Sequence, residues 1–490
     1  MRSDDVHVMV EPSGAEGTAA AAAAAEGTVG AHPVLDALRR ELGDAVSTDP
    51  AELDAMREDK SGWRSASRPL AVVHATTVEQ VQATMRVASA TGTPVVPRGA
   101  GTGLAAGGTG AAGEIVLSTL RMNRILEISE ADELAVVEPG LINDDLNAAL
   151  APSGLWYSPD PASKAISSIG GNIATNAGGL LCAKYGVTRE SVLGLTVVLA
   201  DGRLLRTGHR TVKGVTGYDL TALLIGSEGT LGVIVEATVK LRALPTAPPA
   251  TIGAYFPTVR EAAAASAAIT AARLRPAAME LMDPASVAAV DAYLGTDVGA
   301  GDRAFLLVRF DDQAAAQDAA RAVELVRAEG GVAELTSDPV TGDRLLAYRR
   351  AVHPSLEARG NVLIEDVAVP RSQLVAMFDE IVRIEAEYDV RIPTVAHAGD
   401  GNLHPNFVID AGADGVPDRI WRAADALFRS AVALGGTLTG EHGVGLLKSR
   451  WLEDELGADS VDIQRRLKAV FDPAGILNPG RVFDSGIAAP

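Results

Sequence analysis

The alternation of apolar and polar positions divides the chain into two stretches of different texture. In the first, a helix is predicted over Val34–Leu42 and a strand over Leu70–His74. Thr77-Val-Glu-Gln80 has the spacing of a capping box and opens a helix to about Ala90. Pro94–Pro97 supplies the next strand, so these elements form a βαβ unit. Strands follow at Ile115–Ser118 and Glu133–Val137, then a helix over Asn143–Leu150. Leu193–Leu199, Leu204–Arg206 and Gly232–Lys240 continue the strand-rich pattern, and Pro245-Thr-Ala-Pro-Pro249 breaks it. Beyond that boundary, strands at Thr251–Phe256 and Phe305–Phe310 alternate with helices at Val259–Ala272 and Gln313–Ala328. This texture predicts a compact α+β domain with its sheet covered on one side.

Composition narrows the class. A chain of 490 residues is expected to form two or three domains, and 47% hydrophobic with 22% charged residues is ordinary for a globular protein. The net charge of −20 argues against nucleic acid or an anionic membrane as partner. Cys182, the single cysteine, excludes a disulfide framework and an iron–sulfur cluster and reads as a small buried apolar residue. The first 32 residues are low in complexity, and Asp4, Asp5, Glu11, Glu16 and Glu26 suit neither a secretory signal nor a mitochondrial presequence. A disordered tail over 1–33 is the expectation. No window is long and apolar enough for a membrane span, so the expected location is cytoplasmic, with peripheral membrane association left open.

Three glycine clusters lie in the first stretch. Pro97-Arg-Gly-Ala-Gly-Thr-Gly-Leu-Ala-Ala-Gly-Gly108 follows the second strand of the βαβ unit, yet Val116 to Asn123 holds no acid for a ribose. That argues against a nicotinamide cofactor in a Rossmann site. Successive N–H groups free of Cβ atoms still make a nest for an anion such as a pyrophosphate. Ser167–Gly179 and Gly226–Ile234 repeat the idea, and together the three suggest a long, polar, phosphate-containing ligand. Taken singly, each is also compatible with turn chemistry.

The second stretch carries candidate metal chemistry in His397-Ala-Gly-Asp-Gly-Asn-Leu-His404. Asp-Gly is a preferred pair for a two-residue type I′ hairpin turn. With Asp400 and Gly401 at the tip, Gly399 faces Asn402, Ala398 faces Leu403, and His397 faces His404. Opposed residues share one face with Cβ atoms roughly 5 Å apart. Two imidazoles at that separation can grip one metal ion. Asn406 turns to the same face. Glu441 and His442 add a carboxylate and a third imidazole in Gly440-Glu441-His442-Gly443-Val444-Gly445. The alternative is a surface hairpin with solvated histidines.

Arg98-Gly-Ala-Gly-Thr-Gly103, Ser168-Ile-Gly-Gly-Asn-Ile-Ala-Thr-Asn-Ala-Gly-Gly179 and Gly226-Ser-Glu-Gly-Thr-Leu-Gly232 resemble the FAD-binding domain of the vanillyl-alcohol-oxidase flavoprotein superfamily. His397–His404, Glu441-His442-Gly443 and Leu477-Asn-Pro-Gly480 resemble its D-2-hydroxy acid dehydrogenase branch, which includes D-lactate dehydrogenases and the glycolate oxidase catalytic subunit. The resemblance spans about Val34 to Phe483. It implies an α+β protein with a two-subdomain FAD-binding domain over 34–247. A cap domain with an antiparallel sheet, carrying substrate and metal, would follow over 248–470, and a segment over 471–490 would return to the FAD domain.

Carried over by motif, FAD contacts fall on Pro97, Arg98, Gly99, Ala100, Gly101, Thr102 and Gly103, on Ser168, Gly171, Asn172 and Thr175, and on Gly229, Ile234 and Asn478. Some superfamily members attach FAD through a histidine in the first loop. Ala100 and Gly101 stand there in this chain, so non-covalent FAD is expected. The resemblance implies that His397, His404 and Glu441 bind a divalent metal (zinc, manganese or iron) and that His442 is the catalytic base. Arg349 matches the arginine that pairs with the substrate carboxylate, whereas without the resemblance it reads as a solvated helix arginine. Asn406 joins it as a substrate contact. Relatives acting on D-2-hydroxyglutarate add a threonine and a lysine for the distal carboxylate, where this chain has His353 and Ile364. A short monocarboxylate, D-lactate or glycolate, is therefore the expected substrate. A quinone, a cytochrome, an electron-transfer flavoprotein or a partner subunit would each serve as electron acceptor, and a homodimer stays open. So do two other readings: a non-redox transferase resembling alkyl-dihydroxyacetone-phosphate synthase, and a flavin-bearing regulatory subunit without chemistry.

Overall fold

The computed structural model describes residues 32–298, 302–409 and 416–483. Residues 1–31 of the expected tail lie outside them, and Pro33 already begins the first helix, Pro33–Leu42. The elements expected along the first stretch are present within a residue or two of their predicted ends. Thr77 caps Val78–Thr91 by accepting from Gln80 N, but the Gln80 side chain takes Thr76 N rather than Thr77 N. The capping box is therefore displaced by one residue on its return bond.

Three sheets occupy the first stretch, the smallest a two-stranded pairing of Leu155–Trp156 with Arg242–Ala243. In one, Ala71–His74, Ile115–Ser118 and Val95–Arg98 run parallel, as a βαβ unit requires, with Val46–Ser47 antiparallel at the edge. Another is antiparallel and places Val233–Lys240 at its centre, between Leu134–Val137 and Val192–Val198. The C-terminal segment returns to the first of these: Val95 N donates to Ile476 O at 2.7 Å and Asn478 N to Val95 O at 2.8 Å.

The remainder is built on one antiparallel sheet of eight strands, including Ala250–Phe256, Ala304–Phe310, Ala278–Met282, Thr394–His397 and Asn402–Ile409. Helices cover both of its faces, not one. Met279, Leu281, Leu306 and Val308 pack with the helices Val259–Ala271, Ala315–Ala328, Leu374–Tyr388 and Asp418–Ala433. The alternate residues Ala278, Met282, Phe305 and Leu307 pack with Pro284–Leu294, Pro339–Arg350 and Val352–Glu357. Central strands buried at nearly every position, with no polar alternation, are the sequence signature of two covered faces.

The hairpin register also differs from the expectation. His397 pairs with Asn402 and Val395 with His404, which leaves a four-residue loop, Ala398–Gly401. A type I′ turn needs positive φ at both central residues, and only Gly401 has it. Asp400 N and Gly401 N instead both donate to His397 O. The slip is two residues, and side chains alternate with period two, so His397 and His404 still share a face.

Candidate active site

One acid stands alone in the apolar strand Ala278–Met282: Glu280, wholly buried. A buried carboxylate is tolerable only with donors around it. Strand pairing sets His397 opposite Glu280, and His397 Nδ1 lies 2.8 and 2.9 Å from its two oxygens. Arg349 Nη2 adds a contact at 2.9 Å, brought in by the helix Pro339–Arg350. Glu280 thereby keeps a proton on His397 Nδ1, so that Nε2 is the nitrogen that could bind a metal in place of its own proton.

That nitrogen points at Glu441. His397 Nε2 is 3.2 Å and His404 Nε2 2.9 Å from Glu441 Oε1. The ligand atoms of His397, His404 and Glu441 all lie within 4.8 Å of one another. The two hairpin rings meet edge to face with centroids 5.0 Å apart, and His442 stacks on His404 at 5.1 Å. Burial opposes charge on His397, but Glu280 and Glu441 outweigh it and hold the imidazole above its usual value. Burial likewise opposes charge on Glu441, and hydrogen bonds from His397 and His404 outweigh it, holding the carboxyl well below its usual range. Two imidazole nitrogens aimed at one ionised carboxylate fit zinc, manganese or iron, which would take the place of their shared protons.

Asp366, which the sequence reading did not single out, organises the loop that carries Glu441 and His442. It is fully buried and accepts from Glu441 N, His442 N, Thr439 Oγ1 and Asn402 Nδ2 at 2.6–3.0 Å. Burial would raise its pKa, but His442, Lys448, His404 and Thr439 hold it well below normal. Burial pushes His442 down to about 4 against the pull of Asp366, so its imidazole is neutral at neutral pH. Glu228 ties the same loop to the third glycine cluster by accepting from Val444 N and Gly445 N.

A cavity of about 600 Å³ runs from the glycine loops to these histidines. The whole Pro97–Gly103 loop lines it, with Ser168, Gly171, Asn172, Thr175, Gly229 and Ile234, and at the other end His397, His404, Asn406, Glu441, His442 and Arg349. Arg98 braces the loop through Gly108 O and Glu58 O. Among the described residues, no protein acceptor meets the backbone N–H groups of Gly99 to Gly103. Asn172 Nδ2 is buried without a partner in the same wall. An open row of donors suits the pyrophosphate of a dinucleotide such as FAD. Asn478 does not line this cavity: its Nδ2 is bound to Gly107 O and Glu228 O, so it clasps the loops from behind. Arg349 is 7% exposed, not a solvated helix arginine. Ile364 lines the cavity, as does His353, which pairs with Glu357 at 3.1 Å.

Glu280 and Asp366 could have been found by their setting, since an acid inside or just after an apolar strand must have a buried partner. Cys182 is half-buried and lines a second cavity, so it is not the core residue expected.

Two family models match the chain. Residues 69–208 match the family model of an FAD binding domain, and residues 247–482 that of the C-terminal domain of FAD linked oxidases. The glycolate oxidase subunit GlcD of Bacillus subtilis (strain 168) is 40% identical over 423 residues, 85% of this chain and 89% of that protein. A D-lactate dehydrogenase of Anaerostipes hadrus is 34% identical over 455 residues, 90% of this chain and 94% of that one. Among solved structures, p-cresol methylhydroxylase superposes with a TM-score of 0.74 at 17% identity, covering 93% of this chain and 97% of that one. An alkyldihydroxyacetonephosphate synthase does so at 0.71 and 18%, covering 92% and 86%. At such identities the likeness concerns the fold alone.

Proposed function

The chain belongs to the FAD-linked oxidase family, and from that premise we propose that it oxidises a D-2-hydroxy acid, D-lactate or glycolate, to the 2-oxo acid. The observation that carries this reading is the single cavity shared by the open glycine loops and the cluster of His397, His404, Glu441, His442 and Arg349. Residues 34–247 would hold the flavin and 248–470 the substrate and metal, with the returning segment expected over 471–490, of which 484–490 lie outside the described residues.

Bound FAD supplies the acceptor for the hydride that leaves the substrate Cα. A divalent ion held by His397, His404 and Glu441 would lower the pKa of the substrate hydroxyl. Arg349 binds the substrate carboxylate with the guanidinium edge that Glu280 leaves free; its Nε is buried with no protein partner. Asn406 lines the same cavity, and with its Nδ2 donating to Pro393 O and His404 O, its carboxamide oxygen is left to meet the substrate. His442, neutral and enclosed, takes the hydroxyl proton on its imidazole. Ile364 meets the distal end of the substrate, and a second carboxylate there would be desolvated beside an isoleucine at a cost of several kcal/mol. One cysteine leaves no ligand set for an iron–sulfur cluster, so electrons pass from the flavin to an external quinone, cytochrome or electron-transfer flavoprotein.

The test is kcat/KM for D-lactate, glycolate, D-2-hydroxyglutarate and L-lactate with an artificial acceptor. A preference for D-lactate or glycolate is expected. Preference for D-2-hydroxyglutarate would overturn the reading of Ile364, and inertness toward every hydroxy acid would favour a non-redox transferase.

A further inference from the structure

His397 and Glu441 form a wall between two cavities. Behind the one already described lies a second, of about 330 Å³, lined by Gly178, Gly179, Cys182, Glu190, Asp400 and the same His397 and Glu441 among others. The two differ in charge. The first has Lys60, Arg98, Arg349 and Arg350 in its lining against Asp59, Glu228, Glu357 and Glu441, so its acids are matched by bases. The second has Glu190, Asp400 and Glu441 and no lysine or arginine. Glu190 is exposed at its outer side. Asp400 stands half-buried; one of its oxygens accepts from Asn402 N, and the other meets no protein donor among the described residues. Glu441, Asp400 and Asp160 add to the negative field at the Cys182 thiol, which burial already pushes up.

We propose that this second cavity is the port through which a hydrated divalent cation reaches His397, His404 and Glu441, with Glu190 and Asp400 as its landing carboxylates. The inference rests on the metal reading of the site. Flavin and substrate fill the first cavity, and Arg349 and Arg350 repel a cation there. The acidic passage is lined by two of the same donors, His397 and Glu441, which it shares with the first cavity. Carboxylates lining a low-dielectric channel focus the field and raise the capture rate of an oppositely charged ion by about tenfold or more, an effect that salt erases.

The experiment uses chelator-stripped, FAD-loaded full-length protein and follows zinc or manganese uptake directly, by competition with a metallochromic dye and by metal analysis after rapid desalting. The wild type is compared with the Glu190→Gln/Asp400→Asn double variant, at low and high ionic strength, with and without a saturating 2-oxo acid in the first cavity. Expected are uptake at least tenfold slower in the variant at low salt, rates that converge at high salt, an unchanged final stoichiometry, and wild-type uptake indifferent to the 2-oxo acid. Uptake at the wild-type rate in the variant, or blockage of wild-type uptake by the 2-oxo acid, would overturn the port while leaving the metal site standing. A stripped wild type that takes up no divalent ion would overturn both.

Discussion

Replacing Glu280 by glutamine should separate the buried support of the site from its ligands. Both carboxylate oxygens are engaged: Oε1 meets His397 Nδ1 at 2.8 Å, and Oε2 meets His397 Nδ1 and Arg349 Nη2, each at 2.9 Å. Glutamine has a single acceptor oxygen, so whichever way its amide turns, an NH₂ donor faces either the imidazole N–H or the guanidinium. If it faces His397, the ring is driven to the other tautomer and Nε2 gains a proton where the metal needs a lone pair. Loss of such an outer partner costs about 10–100-fold in metal affinity, or about 1.4–2.7 kcal/mol. Global stability should fall by less than the roughly 3–5 kcal/mol typical of breaking a buried ion pair, because one acceptor remains. The assay is chelator competition on the FAD-loaded protein, with flavin content as the check on folding. Metal affinity and kcat/KM equal to wild type, with flavin retained, would refute the claim that Glu280 sets the His397 tautomer.

Other outcomes follow from the same geometry. Acid or heat should release intact FAD, because Ala100 and Gly101 occupy the loop where a linking histidine would stand; flavin fluorescence staying with the denatured chain on a gel would contradict this. Gly178→Ala places a Cβ 2.5 Å from Glu441 Oε2, so bound metal should drop at least tenfold while flavin stays bound, as read by metal analysis. Ile364→Lys gives a distal carboxylate a partner, and kcat/KM for D-2-hydroxyglutarate relative to D-lactate should rise by about tenfold or more; an unchanged ratio would place the distal end of the substrate elsewhere.

Local chemistry made much of this structure legible. Thr77, the Pro245–Pro249 break and the apolar runs mark element ends because capping and backbone restriction act within a few residues. The facing of His397 and His404 survived a wrong register because a two-residue slip leaves strand alternation intact. What stayed hidden is long-range. Nothing beside Glu280 in the sequence announces His397, 117 residues away, or Arg349, and nothing beside Asp366 announces the N–H groups of Glu441 and His442. Asn478 shows the converse: its motif is legible, but the structure spends its side chain on Gly107 O and Glu228 O rather than on the cavity. The coverage of both sheet faces was readable in the apolar run Ala304–Val308, which does not alternate with polar residues as a one-sided strand does.

The central claim is that His397, His404, Glu441 and His442 act together on a hydroxy acid lying against the flavin. Anaerobic stopped-flow bleaching of the flavin by D-lactate and by glycolate tests it most directly, in the metal-loaded protein, the chelator-stripped protein and His442→Ala. Rapid bleaching is expected in the loaded wild type, and a loss of at least a hundredfold on stripping or in His442→Ala, with FAD still bound in both. Bleaching at the original rate in the metal-free protein, or in His442→Ala, would contradict it.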